Sequence, residues 1–287
     1  VQLAVDDALM DLYVNDDDDH DYAGPTNRTK GPFVESSMLL STMPTASYVL
    51  DTSATILAFL VPAWLSNVFL LQIRGSLQRI LEDKQNKIKV GLTMIGLSES
   101  VYWFAWALLI IGKGIIIVVI LTIVTKIGNI FPLSNSFLLF VLFFTFSVVC
   151  CAYSFLATAF FSKARLGAIV GYLIFLFSML CGIALEYVES VPLKAGLAAW
   201  PPIAFFEVLY LTLLADGVGM PGIQFDNMFN AELTSLGLSF AYLEGMLLAS
   251  VVWLFLLAAY ANQVIPNEWG TTKPWNFPCL ACCGRQR

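Results

Sequence analysis

A chain of 287 residues with 58% hydrophobic and 13% charged side chains, at a mean hydropathy of +0.77, lies far from the roughly 25% charged balance of soluble domains. That composition excludes a water-soluble enzyme or nucleic-acid binder and predicts an all-α integral membrane protein. The formal charge of −6 gathers at one end, since ten of the 21 acidic residues fall within residues 1–51, so it implies no nucleic-acid or acidic partner.

Residues 1–51 read as the tail of an extracytosolic domain, acidic and expected to be mobile. The run Asp16 to Asp19, with His20 and Asp21 beside it, lacks EF-hand spacing and a ligand-spaced His/Cys set, so no metal is assigned. Asn27-Arg28-Thr29 is an N-glycosylation sequon, with Asn27 as the acceptor. The chain opens on Val1 with no initiator methionine or apolar leader, the pattern of a piece of a longer polypeptide.

Crossing about 30 Å of hydrocarbon takes about 20 helical residues. Five runs satisfy this, at about 52–73, 98–125, 133–161, 166–187 and 240–263, and make residues 52–265 a five-span membrane domain. The second run is interrupted by Lys113, an intramembrane charge that costs a few kcal/mol unless it snorkels, pairs or faces a polar cavity.

Between the first two spans, residues 74–97 carry five basic and two acidic side chains. Leu77, Ile80, Leu81, Ile88, Leu92 and Ile95 recur there at three- and four-residue steps. The pattern is an amphipathic helix, either lying at the headgroups or acting as a transmission element. Residues 190–216 are apolar but hold Pro201-Pro202 and Glu207. They predict two short helices meeting at the prolines, an outer hairpin that dips into the leaflet without crossing. Glu207 is a candidate pathway or gating residue, with burial against other helices as the plainer reading, and the same holds for Glu186, Glu189 and Glu244.

With five crossings, segments 74–97, 162–166 and 264–287 share one side and hold ten of the 15 Lys and Arg residues. The positive-inside rule therefore puts the C-terminus in the cytosol and the N-terminal stretch on the extracytosolic or lumenal side. Cys150, Cys151 and Cys181 fall inside spans as apolar packing residues. Cys279, Cys282 and Cys283 follow the last span, where they suit reversible palmitoylation or remain free thiols; three thiols without a fourth ligand make a poor zinc site.

No phosphate loop or nucleophile elbow is present, and His20 is the only histidine, so no catalytic residue or bound cofactor is assigned to this chain. Gly112-Lys113-Gly114 lies inside an apolar helix and reads as close-packing glycines.

The stretch IKVGLTMIGLSESVYWFAW, residues 88–106, resembles the cytosolic loop and following helix of A-subfamily ATP-binding-cassette (ABC) transporters. Pro201-Pro202-Ile203-Ala204-Phe205, Asp216-Gly217-Val218-Gly219 with Gln224-Phe225-Asp226-Asn227, and VIPNEWGTTKPWNFP at 264–278 continue that resemblance in order, over roughly residues 50–280. It implies crossings two to six of a six-crossing ABC-2 type half, with an outer re-entrant hairpin. It further implies a cytosolic coupling segment built on Leu81, Lys84, Ile88, Leu92, Met94 and Gly96. Residues 266–287 would be a linker toward a nucleotide-binding domain that this chain does not contain. The implied parent is a transport ATPase using ATP and Mg2+, partnered by nucleotide-binding domains and a second membrane half, that exports or flips lipids or other amphiphiles. The competing readings are a motor-less channel, receptor or scaffold on the same fold, and another ABC-2 exporter branch.

Overall fold

A computed structural model describes residues 52–183, 191–217, 222–230 and 239–265. The chain divides into two units, 1–49 and 50–287, of which the first lies outside the described residues. So do the Asn27 sequon, the acidic run, Glu186 and Glu189, and the linker with Cys279, Cys282 and Cys283.

The described part of the second unit is helical, with no strand among its residues. In chain order its helices are α1 (Thr52–Gln85), α2 (Ile88–Met94), α3 (Glu99–Ile127), α4 (Ser136–Phe160), α5 (Ala164–Ile183), α6 (Val191–Leu197), α7 (Pro201–Gly217) and α8 (Phe240–Val264). Helices α3, α4, α5 and α8 are long and apolar enough to cross a membrane. The remaining expected span lies within α1, whose 34 residues extend about 51 Å, well beyond the thickness of hydrocarbon.

Local chemistry sets the breaks. Lys87 takes a left-handed backbone, φ 61°, and separates α1 from α2, while Gly96 at φ 103° turns the chain toward α3. The Asn135 side chain accepts from the Phe137 N–H at 2.9 Å to start α4, and the Ser239 hydroxyl accepts from Tyr242 N–H at 3.3 Å to start α8. Between α6 and α7, Pro201 and Pro202 occupy the first helical turn, where their missing N–H groups cost nothing. Helices α6 and α7 meet at that proline pair.

Helix α4 is the axis of the bundle. About two-thirds of its crossing stretch is buried, against 22% for α3, and it packs on α8, α3 and α1. Helix α7 fills the other side, against α5, α8 and α1.

Within lipid the apolar effect does not drive helices together, so close packing must. The α1–α5 joint shows how. Gly167 and Gly171 form a G-x-x-x-G step on α5, and a Cβ added there would lie 2.5 Å from Leu81 Cδ1 and 2.5 Å from Leu77 Cδ2 respectively. Both leucines of α1 therefore sit directly on the α5 backbone.

Candidate functional site

The bundle has three levels, and the first is the end where α1, α4 and α8 finish and α3 and α5 begin. Lys84 donates from its ammonium to the carbonyl oxygens of Thr158 at 2.9 Å and Phe161 at 3.1 Å, satisfying the open C-terminus of α4 with a cation. The next residue, Gln85, accepts from the Ala164 N–H at 3.2 Å and so holds the first residue of α5. Two consecutive side chains of α1 thus tie down the α4–α5 turn.

The chain then crosses the Lys87 break. Lys89 pairs with Glu99 at the start of α3, and its ammonium lies 5.0 Å from the centre of the Trp103 ring. The Tyr102 hydroxyl reaches Asp83 at 3.5 Å. Expected to act as one amphipathic helix, segment 74–97 is instead two pieces with different surroundings. Its first piece, through Gln85, is the continuation of α1, with Leu77, Ile80 and Leu81 buried in the bundle. Its second, α2, buries none of its residues, and Ile88, Met94 and Ile95 are exposed, the last two by 85% and 86%. Of the predicted coupling residues, Leu81 and Lys84 belong to the bundle base, while Ile88, Leu92, Met94 and Gly96 lie on or beside α2. The physical reason is the left-handed residue, which three- and four-residue periodicity does not reveal.

At the same end a groove of about 450 Å3 runs between α3, α4 and α8, lined by Trp103, Phe104, Phe155 and Phe255 with Glu99 and Asn262 among its polar groups.

The middle level is aromatic. Phe146 of α4 stacks on Phe205 of α7 with ring centres 3.7 Å apart, and Phe69 of α1 meets both edge-on at 5.1 and 5.5 Å. Phe175 of α5 closes the group at 6.0 Å from Phe146. Nearby, Gln72 donates to the Ser147 hydroxyl at 3.1 Å, and Gly114 of α3 sits against both, where a Cβ would meet Ser147 Oγ at 2.1 Å. The Thr145 hydroxyl donates to Glu244 at 2.7 Å, joining α4 to α8 by a buried bond. Glu207 is buried on α7, 2% exposed.

Pro201 and Pro202 lie at this depth too. The Ser250 hydroxyl, near the middle of α8, donates to the Ala199 carbonyl at 3.3 Å, and the Trp200 and Trp253 rings are 6.0 Å apart.

The third level closes the opposite end. The Ser134 hydroxyl donates to Asp216 at 2.9 Å and accepts from the Ile223 N–H at 3.1 Å, while Asn135 N–H returns a bond to the Ile223 carbonyl at 2.9 Å. Gly222 fits because a Cβ would stand 2.4 Å from the Leu133 carbonyl carbon. Lys126 donates to the Ser134 carbonyl at 3.0 Å. Burial pushes the Asp216 carboxyl above its ordinary value, against the Ser134 hydroxyl, the Leu133 and Ser134 N–H groups and the Lys126 charge, which all pull it down.

Four helices long and apolar enough to cross a membrane, packed with the long α1 and the shorter α7, make an all-α membrane bundle. The profile described as ABC-2 family transporter protein matches residues 32–260. The chain belongs to the ABC-2 transporter family. Within it the chain matches A-subfamily proteins. It is 28% identical over 256 residues to the glucosylceramide transporter ABCA12 of Homo sapiens, covering 88% of this chain and 10% of that protein. It is 30% identical over 250 residues to ATP-binding cassette sub-family A member 7 of Rattus norvegicus, covering 85% and 11%. Against the phospholipid-transporting ATPase ABCA7 of Homo sapiens it is 29% identical over the same length. The chain therefore spans about a tenth of the curated relatives it matches. The ABC-2 match agrees with the resemblance carried by residues 88–106, 201–205 and 216–227.

Sequence reasoning passed over several residues that build this ABC-2 domain. Gly167 and Gly171 had a readable signal, the G-x-x-x-G spacing inside an apolar run. The Thr145–Glu244 and Gln72–Ser147 bonds had none, because nothing in the spacing of one helix tells which residue of another will face it.

Proposed function

We propose that residues 52–265 are the membrane part of an ATP-driven exporter or flippase for lipids or related amphiphiles. In it α1 and α2 take the stroke of a nucleotide-binding domain on the cytosolic side. The end carrying Lys84 and Lys89 is that cytosolic side, supported by its share of the basic residues. The hairpin α6–α7 then enters from the outer leaflet.

One observation carries this reading: α2 and its C-cap residue present Ile88, Met94 and Ile95 outward, while the α1 base behind them is bonded through Lys84 and Gln85 to the α4–α5 turn. A push on α2 is passed through a short, stiff connection to three helices at once. The substrate class is supported by the names of two relatives, a glucosylceramide transporter and a phospholipid-transporting ATPase.

ATP and Mg2+ do not fit the residues of this chain. Gly112-Lys113-Gly114 lies in mid-α3, where its amides are taken by the helix itself, so no nucleotide phosphate can be cradled there. The nucleotide belongs to a separate nucleotide-binding domain, and a second membrane half completes the transporter.

Reconstitution of the full-length parent in vesicles with a headgroup-labelled phospholipid or glucosylceramide tests the proposal. ATP-dependent movement between leaflets is expected. Movement independent of ATP, or none with any amphiphile, would favour a motor-less channel or scaffold.

A further inference from the structure

We propose that the groove between α3, α4 and α8 is a binding site for one lipid of the adjoining leaflet. Its aromatic walls hold the acyl part, and a rim formed by Glu99 and Asn262 holds an uncharged, hydroxyl-bearing headgroup.

The groove is ordered along the helix axes as a lipid is. On α3 it runs from Glu99, the first helical residue, to Ala107, and on α8 from Gln263, in the last turn, back to Phe255. Its polar end therefore coincides with the helix ends, and its apolar end lies about 12 Å further in. The apolar part is preformed: Trp103 of α3 meets Phe155 of α4 edge-on at 5.2 Å, and Phe155 meets Phe255 of α8 edge-on at 5.9 Å. At about 450 Å3 the space falls within the roughly 300–1,000 Å3 of small-molecule sites. Phe104, which lines it, is 69% exposed, so the groove opens on the surface of two helices long and apolar enough to cross a membrane. Lipid is what such a surface meets.

The rim selects the headgroup. Asn262 spends both amide hydrogens, on the Ala258 carbonyl at 2.9 Å and the Phe155 carbonyl at 3.4 Å, which leaves its own carbonyl oxygen to accept. The Glu99 carboxylate only accepts, and it already holds Lys89 of α2 and the Trp103 ring N–H. The rim thus calls for hydrogen-bond donors. With the Glu99 charge met by Lys89, a neutral hydroxyl suits it better than a second ammonium, which would compete with Lys89.

The site rests on the lipid reading proposed above, but it is measured without nucleotide, so its failure and a failure of ATP-driven transport are read separately. The full-length parent, in phosphatidylcholine vesicles without ATP, is irradiated with two lipids that share one diazirine-bearing acyl chain. One carries a monohexosyl headgroup and the other phosphocholine, whose headgroup has no hydrogen to donate. The hexosyl lipid should label segments 99–107 and 255–263 about fivefold more than the phosphocholine lipid, the factor that one net hydrogen bond supplies. Ala259→Trp, at an exposed residue lining the groove, should fill the space and lower that labelling by about tenfold. Asn262→Leu should abolish the preference between headgroups. Equal labelling by the two lipids would make the groove ordinary boundary-lipid surface. Labelling absent from these segments, indifferent to Ala259→Trp, or keeping its preference in Asn262→Leu would also overturn the proposal.

Discussion

The ammonium of Lys84 lies 2.9 Å from the carbonyl oxygen of Thr158, a residue 74 positions later in the chain. This bond joins the lower end of α1 to the lower end of α4, and Gln85 extends it to α5. Lys84→Met keeps the stem and removes the donor. Charge-assisted bonds of this kind contribute about 1.5–3 kcal/mol, so Lys84→Met should lower stability by about that amount, with Lys84→Arg recovering part of it. Thermal unfolding of the purified parent in detergent measures this.

The α1–α5 joint should be less forgiving. At Gly171 even one methyl meets Leu77 Cδ2 at 2.5 Å, so Gly171→Ala is expected to cost about 1–3 kcal/mol by overpacking, and Gly171→Leu to prevent assembly. Combining Gly171→Ala with Leu77→Ala should restore part of the loss, which a double-mutant cycle on melting temperature would show.

At the opposite end, Asp216 makes stability depend on pH. Its folded-state pKa is raised above the ordinary 3.8 by burial, so the protonated form is the one the fold favours. The contribution is fully present below the unfolded value and is lost as pH rises through the folded value. Melting temperature should therefore fall as pH rises above 3.8, and Asp216→Asn should flatten that slope while keeping an acceptor for the Ser134 hydroxyl. An unchanged slope in Asp216→Asn would assign the dependence to other groups.

Much of this architecture is legible in sequence because membranes reward length. Apolar runs of about 20 residues mark spans with little ambiguity, and a proline pair within residues 190–216 marks where two short helices meet. What separates Leu81 from Met94 is harder to read. Both fall on the apolar stripe of residues 74–97, yet Leu81 is sealed against Gly167 and Met94 is 85% exposed, because one left-handed residue at Lys87 redirects the chain between them. A lysine carries no strong signal for that backbone. Partner choice inside the bundle is equally hidden: Thr145 finds Glu244 through the tertiary arrangement, not through any local pattern. Gly167 and Gly171 are the opposite case, a spacing that does announce a close contact.

That division also decides how coupling must be probed. Leu81→Asp would place a charge on the α1–α5 joint and report on folding alone. The outward residues of α2 isolate the question.

The most direct measurement is ATP-driven lipid movement and ATP hydrolysis, recorded together in vesicles for the parent protein and its Ile88→Asp, Met94→Asp, Ile95→Asp triple variant. The triple variant should insert normally and still hydrolyse ATP, while lipid movement per ATP falls by about tenfold or more. Undiminished lipid movement per ATP would show that α2 is a plain surface helix and would contradict the transmission role given to the α1–α2 end.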